Sequence, residues 1–176
     1  SPAEVLSAIN AEMVKAGMRK DKFVTMIYAI LDTGKNALVL ARAGHEKPIV
    51  MRHDPSGEER GVLQRVESKG MALGMVPPAI FDPTIEDIEL PFESGDSLVL
   101  YTDGVTEATN DRSTEFSYTR LADSILHLRR RAAVEINVGI LEMVDRFSGQ
   151  DRYDDDLTLI TVKRKMEVSP SPIVET

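Results

Sequence analysis

The chain has 176 residues, 42% hydrophobic and 28% charged, with a formal net charge of −8, which suits one globular domain with a sizeable core. The acidic balance argues against a general nucleic-acid binder and against adhesion to an anionic membrane surface. There is no cysteine, so disulfide scaffolds, thiolate zinc sites and cysteine nucleophiles are excluded. No apolar run approaches the roughly 20 residues that span a bilayer, no secretory signal pattern opens the chain, and the default setting is cytoplasmic.

Ser1-Pro2-Ala3-Glu4 reads as a helix start: Ser as N-cap, Pro at the first helical position, Glu completing a capping box. Val5, Leu6, Ile9 and Met13 repeat at helical spacing, and Gly17 is a plausible stop. An opening on a helix cap points to a chain cut from a longer one. Phe23 to Leu31, β-branched and aromatic throughout, is the strongest strand. Asp32-Thr33-Gly34-Lys35-Asn36 is a hairpin turn, and Ala37 to Ala43 pairs back. Gly44-His45 breaks that strand, Pro48 to Arg52 begins a third before the Asp54-Pro55-Ser56-Gly57 turn, and Val62 to Val66 continues the meander. Gly70 to Met75 and Pro77-Pro78 form a glycine- and proline-bounded loop, after which Ile85, Ile88 and Leu90 mark another strand.

Gly95-Asp96 is turn chemistry, and Ser97 to Thr102 is a strand whose unalternating apolar core, Leu98 to Tyr101, predicts cover on both faces. It ends in Asp103-Gly104. Past the polar Asn110–Glu115 loop, Leu121, Ala122, Ile125 and Leu128 line one helix face, with His127 and Arg129-Arg130-Arg131 closing the helix. A second helix runs from about Ala133 to Phe147, with Val134, Val138, Leu141 and Val144 expected inward, and Ser148-Gly149-Gln150 ends it. Asp156 to Lys163 is a final strand alternating from Leu157, and Met166 to Thr176, with two Ser-Pro steps, reads as a tag or linker. Antiparallel strands followed by two helices and a closing strand predict an α+β fold in a single domain over residues 1–165, with a flexible tail at 166–176.

Two acidic points carry the chemistry. A carboxylate at the end of a buried strand, followed by a glycine that allows a tight turn, suits a hard-cation ligand, although most Asp-Gly pairs are only turns. Asp151, Asp154, Asp155 and Asp156 crowd the entry to the last strand, where carboxylates repel unless solvated or sharing a cation. If the two strands are neighbours, carboxylates from both would face a common point. His45 is either a turn residue or a substrate contact. His53 and His127 read as surface, Arg129–Arg131 as a helix C-terminal cluster that could also grip phosphate, and Met13, Met18, Met26, Met71, Met75 and Met143 as core filler.

Thr102-Asp103-Gly104-Val105-Thr106-Glu107-Ala108 together with Asp154-Asp155-Asp156-Leu157-Thr158-Leu159 resembles the PPM (PP2C-like) phosphatase family, specifically its bacterial SpoIIE/RsbU branch. Phe23-Val24-Thr25, Ala43-Gly44-His45, Ala72-Leu73-Gly74, Gly95-Asp96 and Phe116 support the likeness, which runs in order from Ser1 to about Arg164. The resemblance implies an α–β–β–α sandwich of two antiparallel sheets and a metal-dependent serine/threonine phosphoprotein phosphatase. Asp103 matches the metal-ligating aspartate of the Asp-Gly motif, Asp155 a second metal ligand, and Asp156, at the following position, is a further candidate metal ligand. Two Mn²⁺ or Mg²⁺ ions would hold a hydroxide for in-line attack on phosphorus.

By the same resemblance the substrates are anti-anti-sigma-factor-type (STAS) regulatory proteins in bacterial partner switching, with a sensor or receiver domain upstream. The family's Gly-Asp-(Val or Ile)-x-Gly-His-Gly segment has no match here and would precede Ser1. The expectation is therefore an N-terminally truncated domain that binds metal weakly, lacks competent catalysis, and exposes a sheet edge favouring homodimerisation or strand exchange. Arg42 stands where the family prefers Asn, and Ser117 where glycine is commoner. The rivals are a degenerate, non-catalytic protein-binding domain and an unrelated acidic cation-binding domain.

Overall fold

Side-chain alternation along three strands builds four layers. The computed structural model describes residues 1–17, 22–54, 62–149 and 155–166. One sheet has the order β1 (Met26–Asp32), β2 (Ala37–Ala43), β5 (Ile88–Pro91); the other runs β4 (Leu63–Arg65), β3 (Ile49–Met51), β6 (Ser97–Tyr101), β7 (Leu159–Lys163). Every pairing between these strands is antiparallel. Successive residues of a strand point to opposite faces. Leu38 and Leu40 of β2 therefore meet Val50 and Leu98 between the sheets, while Ala41 and Ala43 turn to Leu6 of helix α1 (Pro2–Lys15). On the second sheet Ile49, Met51, Val99 and Tyr101 face outward, onto α4 (Ser117–Leu128) and α5 (Ala133–Ser148). The architecture is the expected α–β–β–α sandwich.

The local signals explain the elements. Ser1 caps α1, its Oγ accepting from the Glu4 N–H, and the Glu4 carboxylate returns to the Ser1 amine at 2.8 Å. β1 and β2 pair from Met26↔Ala43 to Asp32↔Ala37 around the Asp32–Asn36 turn, in which the Asp32 carboxylate accepts from the Gly34 and Lys35 N–H groups. β6 is buried along most of its length, as its unbroken apolar run predicts.

Several expectations change. The inward face of α5 is Ile136, Ile140 and Val144, not the Val134–Val138 stripe, which is exposed (73% and 50%). Both stripes are apolar, and the close contact at Gly139 decides between them: a β-carbon there would sit 2.7 Å from Leu128 of α4. Met75 is 52% exposed and is not core filler, whereas Met51, at 3%, is. Within the Pro-bounded loop a short helix α2 (Pro78–Phe81) and a 3-10 turn (Asp82–Thr84) bury Phe81. Pairing of the long first strand with β2 starts only at Met26, and five of its large apolar side chains stand exposed. Met18, the residues of the 55–61 turn, Asp151 to Asp154 and the tail beyond Met166 lie outside the described residues.

Gly95-Asp96 does more than turn the chain. Asp96, 2% exposed, accepts from the Arg52 guanidinium (3.0 Å) and from the His53 and Glu93 N–H groups (2.7 and 2.9 Å), and its carbonyl accepts from Arg164 N–H. Removing one member of such a cluster leaves buried donors without partners. Asp96→Ala should lower unfolding stability by about 3 kcal/mol, read from urea titration. Ser117 sits at φ +69°, in the left-handed region where glycine avoids a strain of about 1–2 kcal/mol. Relief of that strain exceeds glycine's entropic cost, so Ser117→Gly should raise stability by roughly 0.5–1 kcal/mol in the same assay.

Candidate functional site

The two acidic segments come together because β6 and β7 are neighbours. Tyr101 pairs with Leu159, the last rung of that ladder, and Thr102 extends it by side chain and backbone alike. Its N–H donates to the Thr158 carbonyl (3.0 Å), its Oγ1 donates to the Asp156 carbonyl (3.1 Å) and accepts from the Thr158 N–H (2.9 Å). Asp103 follows at once, opening the short helix α3 (Asp103–Thr106). Gly104 does not supply a left-handed turn, contrary to the simplest reading of Asp-Gly. It supplies room: a β-carbon there would lie 2.7 Å from the Asp156 carbonyl oxygen, closer than real β-carbons come.

Asp103, Asp155 and Asp156 are all exposed. One oxygen of Asp103 accepts from the Gly104 N–H (3.0 Å), and one of Asp155 accepts from the Asp156 N–H (2.7 Å). Each carboxylate is thus oriented by its own backbone. Oxygen donors of this kind suit a hard cation that keeps most of its water. Among the described residues no group of three or more His, Cys, Asp or Glu side chains is arranged to hold a metal.

Three short motifs that are weak in sequence converge in space. Val24 and Leu73 exchange N–H···O bonds (3.1 and 2.8 Å), and Ala72 packs against Gly44, where φ is +66°. Thr25 Oγ1 meets His45 Nδ1 at 3.2 Å. His45 is half-buried, and burial pushes its pKa below the ordinary imidazole value. The carboxylates of Glu46 and Asp103 pull the other way, and Arg42 adds to the lowering. The Asp103 charge is thus felt at His45, whose ring is held by Thr25. Arg42 donates to the His45 carbonyl (2.6 Å) and to Ser68 Oγ (3.0 Å), clamping this loop where the family prefers Asn. Thr102 and the Thr25–His45 pair were not singled out by spacing; a threonine flanking the Asp-Gly step and another two residues after Asp156 were the available signal. His53 and His127 are surface residues as expected. The Arg129–Arg131 turn donates at the end of α4, and its Arg129 and Arg131 carbonyls accept from the Lys163 ammonium (2.8 and 2.9 Å).

Two antiparallel sheets between helical layers, with acidic segments meeting at neighbouring strand ends, define a PP2C-like domain. The family model for Stage II sporulation protein E (SpoIIE) matches residues 1–165, and the chain belongs to that family. It is 26% identical over 167 residues to phosphoserine phosphatase RsbU of Bacillus subtilis, covering 94% of this chain and 46% of that protein. It is 28% identical over 142 residues to protein IcfG of Synechocystis sp., covering 81% and 21%. The chain thus spans less than half the length of these curated relatives. Among solved structures, the RsbU and RsbW domains of Rv1364c from Mycobacterium tuberculosis superpose with a TM-score of 0.72 at 23% identity, over 96% of this chain and 43% of that one. The phosphatase domain of SpoIIE from Bacillus subtilis, presoaked with Mn, gives 0.64 at 16% identity, over 96% and 75%. These structural likenesses establish the fold. No helix among the described residues is long and apolar enough to cross a membrane.

The close approach at Gly104 is testable. Gly104→Ala should cost about 1–3 kcal/mol by overpacking against the Asp156 backbone, measured by urea unfolding. Gly34→Ala, where a β-carbon would meet only the Asp32 carboxylate at 3.4 Å, should stay within about 0.5 kcal/mol of the parent.

Proposed function

We propose that this chain carries part of a metal-dependent serine/threonine phosphoprotein phosphatase, with Asp103 and Asp155 as metal ligands and Asp156 beside them. One observation carries the reading: Thr102 and Gly104 hold the Asp155–Asp156 backbone against the Asp103 turn, so two exposed carboxylates stand at adjoining strand ends in a chain of the SpoIIE family. Bound Mn²⁺ or Mg²⁺, two ions in a complete site, would supply positive charge against which phosphoryl transfer proceeds. Asp103 and Asp155 would hold such ions through oxygen, their orientation kept by the Gly104 and Asp156 N–H bonds. The Thr25–His45 pair borders the same space. The substrate class is a phosphorylated regulatory protein of the STAS, anti-anti-sigma type, read from the likeness to RsbU. A sensor or receiver domain elsewhere in the full-length protein and a cytoplasmic setting complete the proposal.

With no group of three or more His, Cys, Asp or Glu side chains arranged to hold a metal among the described residues, this chain alone should bind Mn²⁺ only weakly, at about 0.1–1 mM, and turn over little substrate. Tight two-site binding in calorimetry would contradict that. The decisive test is hydrolysis of an aryl phosphate and of a phosphorylated STAS protein by the full-length protein with Mn²⁺. Asp103→Ala should abolish turnover while leaving thermal unfolding within a few degrees of the parent; unchanged turnover would remove Asp103 from the site. The second reading, against which the presence of both Asp103 and Asp155 speaks, is a degenerate domain that binds a partner without catalysis. It predicts STAS-protein binding that Asp103→Ala leaves intact, with no metal-stimulated hydrolysis by the full-length protein.

A further inference from the structure

We propose that His45 is a substrate contact: its ring donates from Nε2 to a phosphoryl oxygen of the phosphoprotein, and Thr25 is the positioning residue that aims it. The inference deepens the phosphatase reading and rests on it. Topology brings the ring to the acidic turn. β6 lies between β7 and β3, so its end at Asp103 has a neighbour on either side. From one side β7 brings Asp155 and Asp156. On the other, β3 pairs with β6 as Met51↔Ser97, Val50↔Leu98 and Ile49↔Val99. The same count carried past the end of that ladder sets Lys47 opposite Tyr101 and His45 opposite Asp103. The Val66 N–H still donates to the Pro48 carbonyl at 2.8 Å, so the segment leading into β3 keeps to the sheet there. The Asp103 charge felt at His45 agrees with this count.

The imidazole is held more firmly than a turn requires. Arg42 fixes its backbone, donating to the His45 carbonyl (2.6 Å) and to Ser68 Oγ (3.0 Å). Thr25 Oγ1, 3.2 Å from Nδ1, fixes the ring. Thr25 leads into β1 of one sheet and Asp103 follows β6 of the other, so with Nδ1 turned to the first, Nε2 is left for the second. The threonine hydroxyl can donate or accept. If it accepted from an Nδ1 proton, a bare Nε2 lone pair would face the field of Glu46 and Asp103, whose carboxylates both act on this ring. If it donates to Nδ1, the proton sits on Nε2, where the same field stabilises it. The carboxylates therefore select the Nε2–H form. Burial, the largest cause of the lowered pKa, keeps the ring uncharged at neutral pH. An uncharged N–H donor suits this place: it takes hold of an anionic phosphate oxygen without competing as a cation for Asp103 and Asp155.

The test compares amides of two lengths in the full-length protein, with Mn²⁺ and a phosphorylated STAS protein. His45→Asn places its amide near the Nδ1 position and keeps the bond to Thr25; His45→Gln reaches the Nε2 position and keeps the donor. His45→Asn should lower kcat/KM by about 10–100-fold, the worth of one hydrogen bond to a charged group. His45→Gln should recover part of that loss, and Thr25→Val should show a smaller one. None should move the Mn²⁺ concentration that gives half the maximal rate. A second readout needs no turnover. The chain has three histidines, and long-range proton–nitrogen NMR should show the His45 ring, identified by its loss in His45→Gln, protonated at Nε2 and bare at Nδ1. A ring protonated at Nδ1, a shifted Mn²⁺ requirement, or full activity in His45→Asn with the loss in His45→Gln would each overturn the proposal, the last by showing that the ring only closes its turn. Turnover that Asp103→Ala abolishes and every His45 variant keeps would remove this inference alone. No Mn²⁺-dependent hydrolysis by the parent, or turnover that Asp103→Ala leaves intact, would remove the phosphatase reading and this inference with it.

Discussion

Thr102 is the hinge-pin of the candidate site. Its N–H continues the β6–β7 ladder one step beyond the last paired residues, and its hydroxyl at once donates to the Asp156 carbonyl and accepts from the Thr158 N–H. A threonine hydroxyl can do both because it carries a proton and two lone pairs. The effect is to hold an acidic loop, whose carboxylates repel one another, flush against the end of a buried strand. Glycine at 104 completes the arrangement by presenting no side chain where the Asp156 carbonyl approaches. The placement of Asp103 beside the Asp155–Asp156 backbone depends on this contact.

The surrounding layers make that contact rigid. Tyr101, 1% exposed, fixes the end of β6 in the core beneath α4 and α5, with Val99 and Val105 beside it. Phe116 enters the same core and meets Phe147 edge-on at 5.5 Å, so the helix pair is tied to the segment that follows α3. On the opposite sheet, Gly44 against Ala72 and Val24 against Leu73 draw the His45 loop inward. Arg42 holds that loop through Ser68. The site is thus bordered by turns from both sheets, each anchored by a buried strand.

Much of this was legible in the residues, and the places where it was not have physical causes. Helix α1 was readable from its cap because Ser, Pro and Glu act within four residues of one another. The β1–β2 hairpin was readable because its turn and both strands are contiguous. Burial was harder. In α5 two apolar stripes compete, and only the packing of Gly139 against Leu128 shows which faces the sheet. The apolar run at 23–31 carries the same strand signal whether it lies at the centre of a sheet or at its border, since propensity says nothing of neighbours. In Asp103-Gly104 the acid is legible and the glycine is not: its steric demand comes from a chain segment some fifty positions away. The role of Thr102 is invisible for the same reason.

One consequence follows from the way β7 is moored. At one end its approach is held by Thr102; at the other, Arg164 and the Gly95–Asp96 turn exchange backbone bonds at 3.1 and 2.9 Å. A ribbon fixed at both ends cannot creep along its neighbour. Sliding by two residues, the smallest slip that keeps inward side chains inward, would carry Asp155 about 7 Å past Asp103 at ~3.4 Å per residue and break both moorings together. The spacing of the two acids is therefore gauged by the whole length of the strand, so a change at the Asp96 end is felt at the acidic end as a misalignment, with no ligand altered.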